Sequence, residues 1–199
     1  MSGICGVVHF DGAPVDPKVL RQMAEVVAYR GPDGIRYWID GNVGLAHLAL
    51  NATPEALRER QPLPSVDGLT CLTADARVDN RSELVRTLTS KGCLQQKDPT
   101  DADLILAAYR CWGEACPEHI IGDFAFAIWD GHNRWMFCAR DPFGVRPLHY
   151  SQVGQTLCVA SEAQQVLQHP AMPWRLDEVA MANHPVSYTH LTLPTILLV

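Results

Sequence analysis

The sequence predicts an antiparallel α+β fold, and three observations carry that reading. Short runs rich in Val, Ile, Phe and Trp recur along the chain, joined by hairpin-sized turns such as Asp40-Gly41. Segments of helical spacing stand apart from the strand pairs instead of alternating with every strand. The run Phe124-Ala125-Phe126-Ala127-Ile128-Trp129 is apolar at both parities, as a strand covered on both faces must be.

Taken in order, residues 3–10 (GICGVVHF) read as a buried strand ending at the turn Asp11-Gly12. Asp16-Pro17 supplies an N-cap and a first-turn proline, and Leu20, Met23, Ala24 and Val27 share one face, so 17–29 is expected to be an amphipathic helix. Strands near 35–40 and 42–50 follow, then a loop through Pro54, Pro62 and Pro64, and a strand over 69–74. Asn80 and Glu83 have capping-box spacing for a helix that Gly92 can close; Thr100 with Asp103 starts another, with Leu104, Ala107, Ala108 and Cys111 on one face. After the 124–129 strand, Gly131-His132-Asn133 turns the chain into a return strand over 135–139. Strands near 148–150 and 156–160 and a helix near 162–168 complete the body, and Trp112, Trp129 and Trp135 are expected in the core.

Composition narrows the function. With 199 residues, 47% apolar and 19% charged, the chain suits one ordinary core, not a disordered segment. A net charge of −6 without a basic cluster argues against a nucleic-acid partner. No apolar run reaches the roughly 18 residues of a membrane span, and the start Met1-Ser2-Gly3-Ile4 lacks the charged region of a secretory signal. Seven cysteines without CxxC or Cys/His ligand spacing suit reduced, buried thiols in a cytoplasmic protein, with no metal site.

The end of the chain reads differently. Val186 to Thr195, VSYTHLTLPT, can be translated from a transposon-derived sequencing-library adapter read in one frame. Residues 186–199 are therefore expected to be a non-native tail that contributes no core, with residues 1–185 forming one domain of a protein that continued past Pro185.

Several segments occur in a telling order: MSGICGVV, YRGPDG at 29–34, GLAHLAL at 44–50, ERQPL at 59–63, ADARVDNRSEL at 74–84, TDAD at 100–103, GDFAFAIWD at 122–130 and ARDPFGVRPLHY at 139–150. Together they resemble the N-terminal, class II glutamine amidotransferase domain of glutamine-hydrolysing asparagine synthetases, over about residues 1–170. The resemblance implies a four-layer αββα sandwich of the N-terminal-nucleophile type, with two mainly antiparallel sheets between helical layers. In that family an N-terminal cysteine attacks the glutamine side-chain amide and its own α-amino group acts as base. An Asn-Gly pair forms the oxyanion hole, an arginine grips the substrate carboxylate and acidic groups hold the α-amine. The ammonia passes to a C-terminal synthetase domain that uses ATP and Mg²⁺. The implied partners are that domain and a small-molecule or peptide acceptor, and the resemblance admits a homodimer.

Residue by residue, the resemblance places Ser2 at the nucleophile position. A hydroxyl there must lose its proton during attack, whereas a thiol is partly thiolate already. Ala49 stands where the carboxylate-gripping arginine is expected, followed by Leu50 and Asn51; Asp75-Ala76-Arg77 replaces Asn-Gly-Glu; Asp101 keeps an acidic contact to glutamine. An acid at 75 has the wrong sign beside a developing oxyanion. These departures imply that glutaminase activity is lost, as in β-lactam synthetases and lasso-peptide macrolactam cyclases, where the domain is a platform for the ligase; an N-terminal-serine hydrolase is the rival reading. Cys5 reads as a buried strand cysteine, His47 as a structural histidine and not a base. Arg30-Gly31-Pro32-Asp33 and Arg140-Asp141 with Gly144 read as turns that fix nearby loops.

Overall fold

Strands with apolar residues at both parities need a cover on each face, and the fold supplies one with two stacked sheets and helices outside both. The computed structural model describes residues 1–54 and 56–173 and the backbone of 196–198. In chain order the elements are β1 (Gly3–His9), α1 (Pro17–Glu25), β2 (Ile35–Asp40), β3 (Val43–Leu48), β4 (Leu63–Pro64), β5 (Thr70–Val78), α2 (Arg81–Ser90), α3 (Asp101–Trp112), β6 (Gly122–Asp130), β7 (Trp135–Arg140), β8 (His149–Val153), β9 (Thr156–Ala160), α4 (Ala163–Val166) and β10 (Ile196–Leu198). One sheet has the order β2-β3-β1-β9-β8, the other β10-β7-β6-β5-β4, and every pairing is antiparallel.

Alternation along each strand sorts the core into three layers. Ile4 and Val8 of β1, Val43 and Leu45 of β3, Ala125, Ala127 and Trp129 of β6, and Leu157 and Val159 of β9 fill the space between the sheets. Their opposite-parity neighbours Cys5, Val7, Ala46, Leu48, Cys158 and Ala160 pack under α1 and α4. Phe124, Phe126 and Ile128 of β6 and Phe137 of β7 pack under α2 and α3. Small residues on the inner face of β6 let the sheets approach, and the Thr73 hydroxyl crosses between them to donate to the Ala46 carbonyl at 3.1 Å. The αββα sandwich is thus the observed architecture. Among the described residues no helix is long and apolar enough to cross a membrane.

Several expectations need correction. Helix α1 stops at Glu25, short of residue 29, and a 3₁₀ turn over Ala28–Arg30 follows. That turn brings Arg30 back to the start of β1, where Nη1 donates to the Ser2 carbonyl at 3.1 Å. Asn80 does not cap α2 with its side chain. It bridges to the next connection instead, donating to the His119 carbonyl and accepting from Ile121 N–H, each at 3.0 Å. Thr100 and Asp103 do form the expected capping box. The short strand β4 and the 3₁₀ segment Gly113–His119 carry too few residues for a periodic signal and were not expected. Of the three tryptophans expected in the core, only Trp129 is buried; Trp112 is half-buried against the His119 ring, and half-buried Trp135 donates to the Tyr109 hydroxyl at 2.9 Å. Cys5, Cys71, Cys116, Cys138 and Cys158 are buried, whereas Cys93 and Cys111 are half-buried.

Residues 186–195 and 199 lie outside the described residues. The backbone of Ile196–Leu198 pairs with Phe137–Ala139 of β7. A free strand edge presents unpaired N–H and C=O groups that accept any extended segment.

Gly122 shows how tightly the β5–β6 pair is built. Its φ of +147° is a conformation that L side chains rarely adopt, and a Cβ there would lie 1.9 Å from the Arg77 carbonyl oxygen. Gly122→Ala is expected to cost at least about 3 kcal/mol of stability, measured by urea unfolding. A loss below about 1 kcal/mol would mean that the strand start can shift freely.

Candidate active site

Strand parity decides which of the expected site residues can meet. Ser2 has the parity of Ile4 and Val8, so it faces the space between the sheets at the mouth of β1. His47 shares the parity of Val43 and Leu45, and Asp75 that of Cys71. Ala49, Leu50 and Asn51 follow directly on β3. With Ser2, His47, Glu59 and Gln61 they line a cavity of about 60 Å³.

Ser2 is tied to three neighbours. Its hydroxyl oxygen accepts from Leu50 N–H at 3.1 Å, its carbonyl accepts from Arg30, and its own N–H donates to the Asp75 carboxylate. Arg30 is in turn fixed by Glu162, with Nε 2.7 Å from Oε1, and the Tyr29 hydroxyl donates to the same carboxylate. Burial pushes the Glu162 pKa up, but hydrogen bonds from Tyr29 and Gln164 and the Arg30 charge outweigh it, so the net direction is down. The turn 30–34 packs hard on this corner. A Cβ at Gly31 would lie 2.8 Å from Leu48 Cα, and Asp33 Oδ2 accepts from Asn51 N–H at 2.7 Å. That is the loop-fixing role expected of this turn.

Asp75 is 5% exposed, and its Oδ1 lies 3.3 Å from Arg146 Nη1. Burial raises its pKa, opposed by Arg146, the N-terminal amine, Arg30 and the Ser2 N–H. Its Oδ2 has no hydrogen-bond partner among the described residues. The acid at 75 is therefore charge-compensated by a residue that the sequence reading did not place in the site. Arg146 arrives on the loop after β7, which the buried Asp141 carboxylate ties down by accepting N–H bonds from Phe143, Val145 and Arg146 at 3.1, 2.9 and 3.0 Å.

The opposite wall is built from ERQPL. Gln61 is 3% exposed and pairs like a strand with Ala74, accepting from its N–H at 2.5 Å and donating to its carbonyl at 2.9 Å. Gln61 also donates to Glu59, and Ala102 N–H donates to Glu59 Oε2 at 3.3 Å, which leans the first turn of α3 on the cavity wall. Burial raises the Glu59 pKa, against the hydrogen bonds from Gln61 and Ala102. His47 is held at a pKa of about 4, first by burial and then by Arg36, with a hydrogen bond to the Ala74 carbonyl opposing.

The other expected site positions point elsewhere. Ala76 packs on the helix-side cluster because its parity is opposite to that of Asp75. Arg77 is exposed and pairs with Asp79 at 2.9 Å and Asp123 at 3.4 Å. Asp101 opens α3 and pairs with Arg81, also accepting from Val78 N–H at 3.4 Å, and does not line the Ser2 cavity. Arg146, Glu59 and Gln61 lay within segments visible in the sequence, but nothing local marked their side chains as inward-facing. Among the described residues no three His, Cys, Asp or Glu side chains converge as a metal site.

The sequence profile of the family described as "Glutamine amidotransferase domain" matches residues 1–196. Asparagine synthetase [glutamine-hydrolyzing] 2 of Bacillus subtilis (strain 168) is 32% identical over 87% of this chain and 23% of its own length. Asparagine synthetase [glutamine-hydrolyzing] 3 of the same organism is 31% identical over 92% of this chain and 30% of its own. The chain thus spans under a third of these curated relatives. Among solved structures, the glutamine phosphoribosylpyrophosphate amidotransferase of B. subtilis, complexed with ADP and GMP, superposes with a TM-score of 0.66 at 19% identity, over 82% of this chain and 42% of that one. That likeness concerns the fold alone. Motif order, sandwich architecture and sequence similarity agree: the chain belongs to the glutamine amidotransferase domain family, in its asparagine-synthetase-like branch.

Proposed function

We propose that this domain belongs to an asparagine-synthetase-like, ATP-dependent amide-forming enzyme of the cytoplasm and has lost its own glutaminase activity. Its role there is to support the synthetase half, which would hold ATP and Mg²⁺ and take a small-molecule or peptide acceptor. A platform for a macrolactam- or β-lactam-forming ligase is the variant of this reading in which glutamine is dispensed with altogether.

The observation that carries the proposal is the state of Ser2. Its hydroxyl, carbonyl and N–H are all used as structural joints, beside a cavity of about 60 Å³. Ligand pockets run to about 300–1,000 Å³, so this space suits a water or two and not an amino acid. The nearby imidazole is a poor base for the hydroxyl. A base works best with a pKa near the working pH, and His47 sits at about 4. Ala49 brings no charge to a substrate carboxylate, and the inward-facing group on β5 is a carboxylate already held by Arg146.

Two outcomes are expected. Purified protein releases no glutamate from glutamine above background, and Ser2→Cys does not change that. The lost carboxylate grip and the lost oxyanion donor together cost at least about 4 kcal/mol, close to three orders of magnitude in rate. Glutamate release that vanishes in Ser2→Ala would establish a serine hydrolase; robust release by Ser2→Cys alone would show that the pocket residues are misassigned.

His47 gives a pH signature. Its native pKa of about 4 lies below the unfolded value near 6.5, so the unfolded chain binds the proton first as the pH falls. Stability is complete above pH 6.5 and falls by about 3 kcal/mol towards pH 4 from this group. Urea unfolding at pH 7.0, 5.5 and 4.5 is expected to show a shallower pH dependence in His47→Gln. An equally steep dependence would place the titrating group elsewhere.

A further inference from the structure

Helices α2 and α3 pack on the same apolar cluster, and their first residues meet. Arg81, the first residue of α2, pairs with Asp101, the first residue of α3. The helices have 10 and 12 residues, about 15 and 18 Å of length. Cys93 and Cys111 stand at their far ends. The chain leaving α2 is folded back by bonds from Gly92 N–H to the Thr89 carbonyl and from Cys93 N–H to the Leu88 carbonyl, at 3.0 and 2.9 Å. This fold sets Cys93 in a groove with Leu106, Ala107 and Arg110 of α3. Cys111 is one helical turn beyond Ala107 on the same face. Both cysteines pack at the edge of the same apolar cluster, and both are half-buried while the other five are buried. Cys93 is the side chain that bears on Cys111, with the Lys91 charge also beside it.

We propose that Cys93 and Cys111 are a reversible dithiol–disulfide site that clasps the far ends of α2 and α3, independently of the amidotransferase reading. The oxidant is a low-molecular-weight disulfide. A thiolate of the pair attacks one of its sulfurs and expels one thiol. The second cysteine then loses its proton, attacks the mixed disulfide and expels the other. Two protein thiols and one disulfide become one protein disulfide and two small thiols, so electrons and protons balance. Burial and the Cys93 neighbour hold the Cys111 pKa above the ordinary thiol range, so the first step speeds up as the pH rises. Lys91 is the charged group whose proximity acts in the opposite sense. Because the first turn of α3 rests on Glu59 through Ala102, the clasp fixes the other end of a helix that braces the Ser2 cavity.

The test equilibrates the intact protein in buffers of graded glutathione to glutathione-disulfide ratio, quenches it with acid, denatures it and counts the remaining thiols by maleimide mass labelling. Oxidation is expected to remove two of the seven thiols with a mass loss of two hydrogens and to yield a peptide linking Cys93 to Cys111. The melting temperature of the oxidised form is expected to rise by roughly 5 °C or more, the usual consequence of closing a loop of this size. Cys93→Ser and Cys111→Ser should each give one glutathione adduct and no internal bridge. Seven free thiols at every ratio would overturn the proposal. So would separate glutathione adducts on the two cysteines of the unmutated protein, or an internal bridge that survives in either serine variant.

Discussion

The layer between the two sheets sets the terms for everything near Ser2. A side chain pointing into it must be apolar or must bring its own partners, because an unpartnered polar group there loses its hydration without replacement. Ile4, Val8, Leu45, Cys71, Ala125 and Ala127 meet the first condition. Thr73 meets the second through the Ala46 carbonyl, and His47 through the Ala74 carbonyl. The site is the place where this layer opens, so its residues are read off strand parity before any chemistry is considered.

Asp75 is the severest case of that rule. A buried carboxylate costs several kcal/mol unless a cation and hydrogen bonds are delivered to it, and removing one partner of such a pair leaves the other stranded at about 3–5 kcal/mol. Arg146 therefore has to be in place whenever the acid is ionised. The arginine in turn depends on Asp141, which gathers three backbone N–H groups and holds the loop in the one shape that aims residue 146 at residue 75. A single change in the site is thus tied to a loop about seventy residues away in sequence.

Much of this was legible in the sequence, for a physical reason. Apolar residues at both parities in GICGVVHF and FAFAIW give strands covered on both faces, and hairpin turns give antiparallel pairing, so the layers follow. Ser2, Ala49, Leu50 and Asn51 meet at one cavity, with Asp75 beside Ser2, because motif order fixes which strand ends converge. Asp101 and Arg77 were grouped with them on the same grounds, but Asp101 opens α3 and pairs with Arg81, and Arg77, although it has the parity of Asp75, is exposed and pairs with Asp79 and Asp123. The partners that decide the electrostatics were out of reach. Arg146, Glu59 and Gln61 act through contacts between segments far apart in the chain, and no local pattern states that such a side chain points inward. Asn80 fails as a cap for the same reason: its amide finds better partners forty residues away than the helix it precedes.

The geometry around Ser2 separates two demands that an N-terminal nucleophile site has to reconcile. A nucleophile needs a hydroxyl free to turn to the substrate and a base ready for its proton. A joint between sheets needs those same groups tied down. Here the Ser2 oxygen accepts from Leu50, the carbonyl from Arg30, and the N–H is given to a carboxylate whose charge Arg146 balances. Each bond stabilises the meeting of β1, the β3 exit, the turn at 30–34 and the 141–146 loop. Each also adds to what a substrate would have to displace before reaching the hydroxyl. On the proposed reading the sandwich keeps its fold because the side chain at the mouth of β1 became a joint: the same four segments that would have to surround a reacting amide are the ones these bonds hold together.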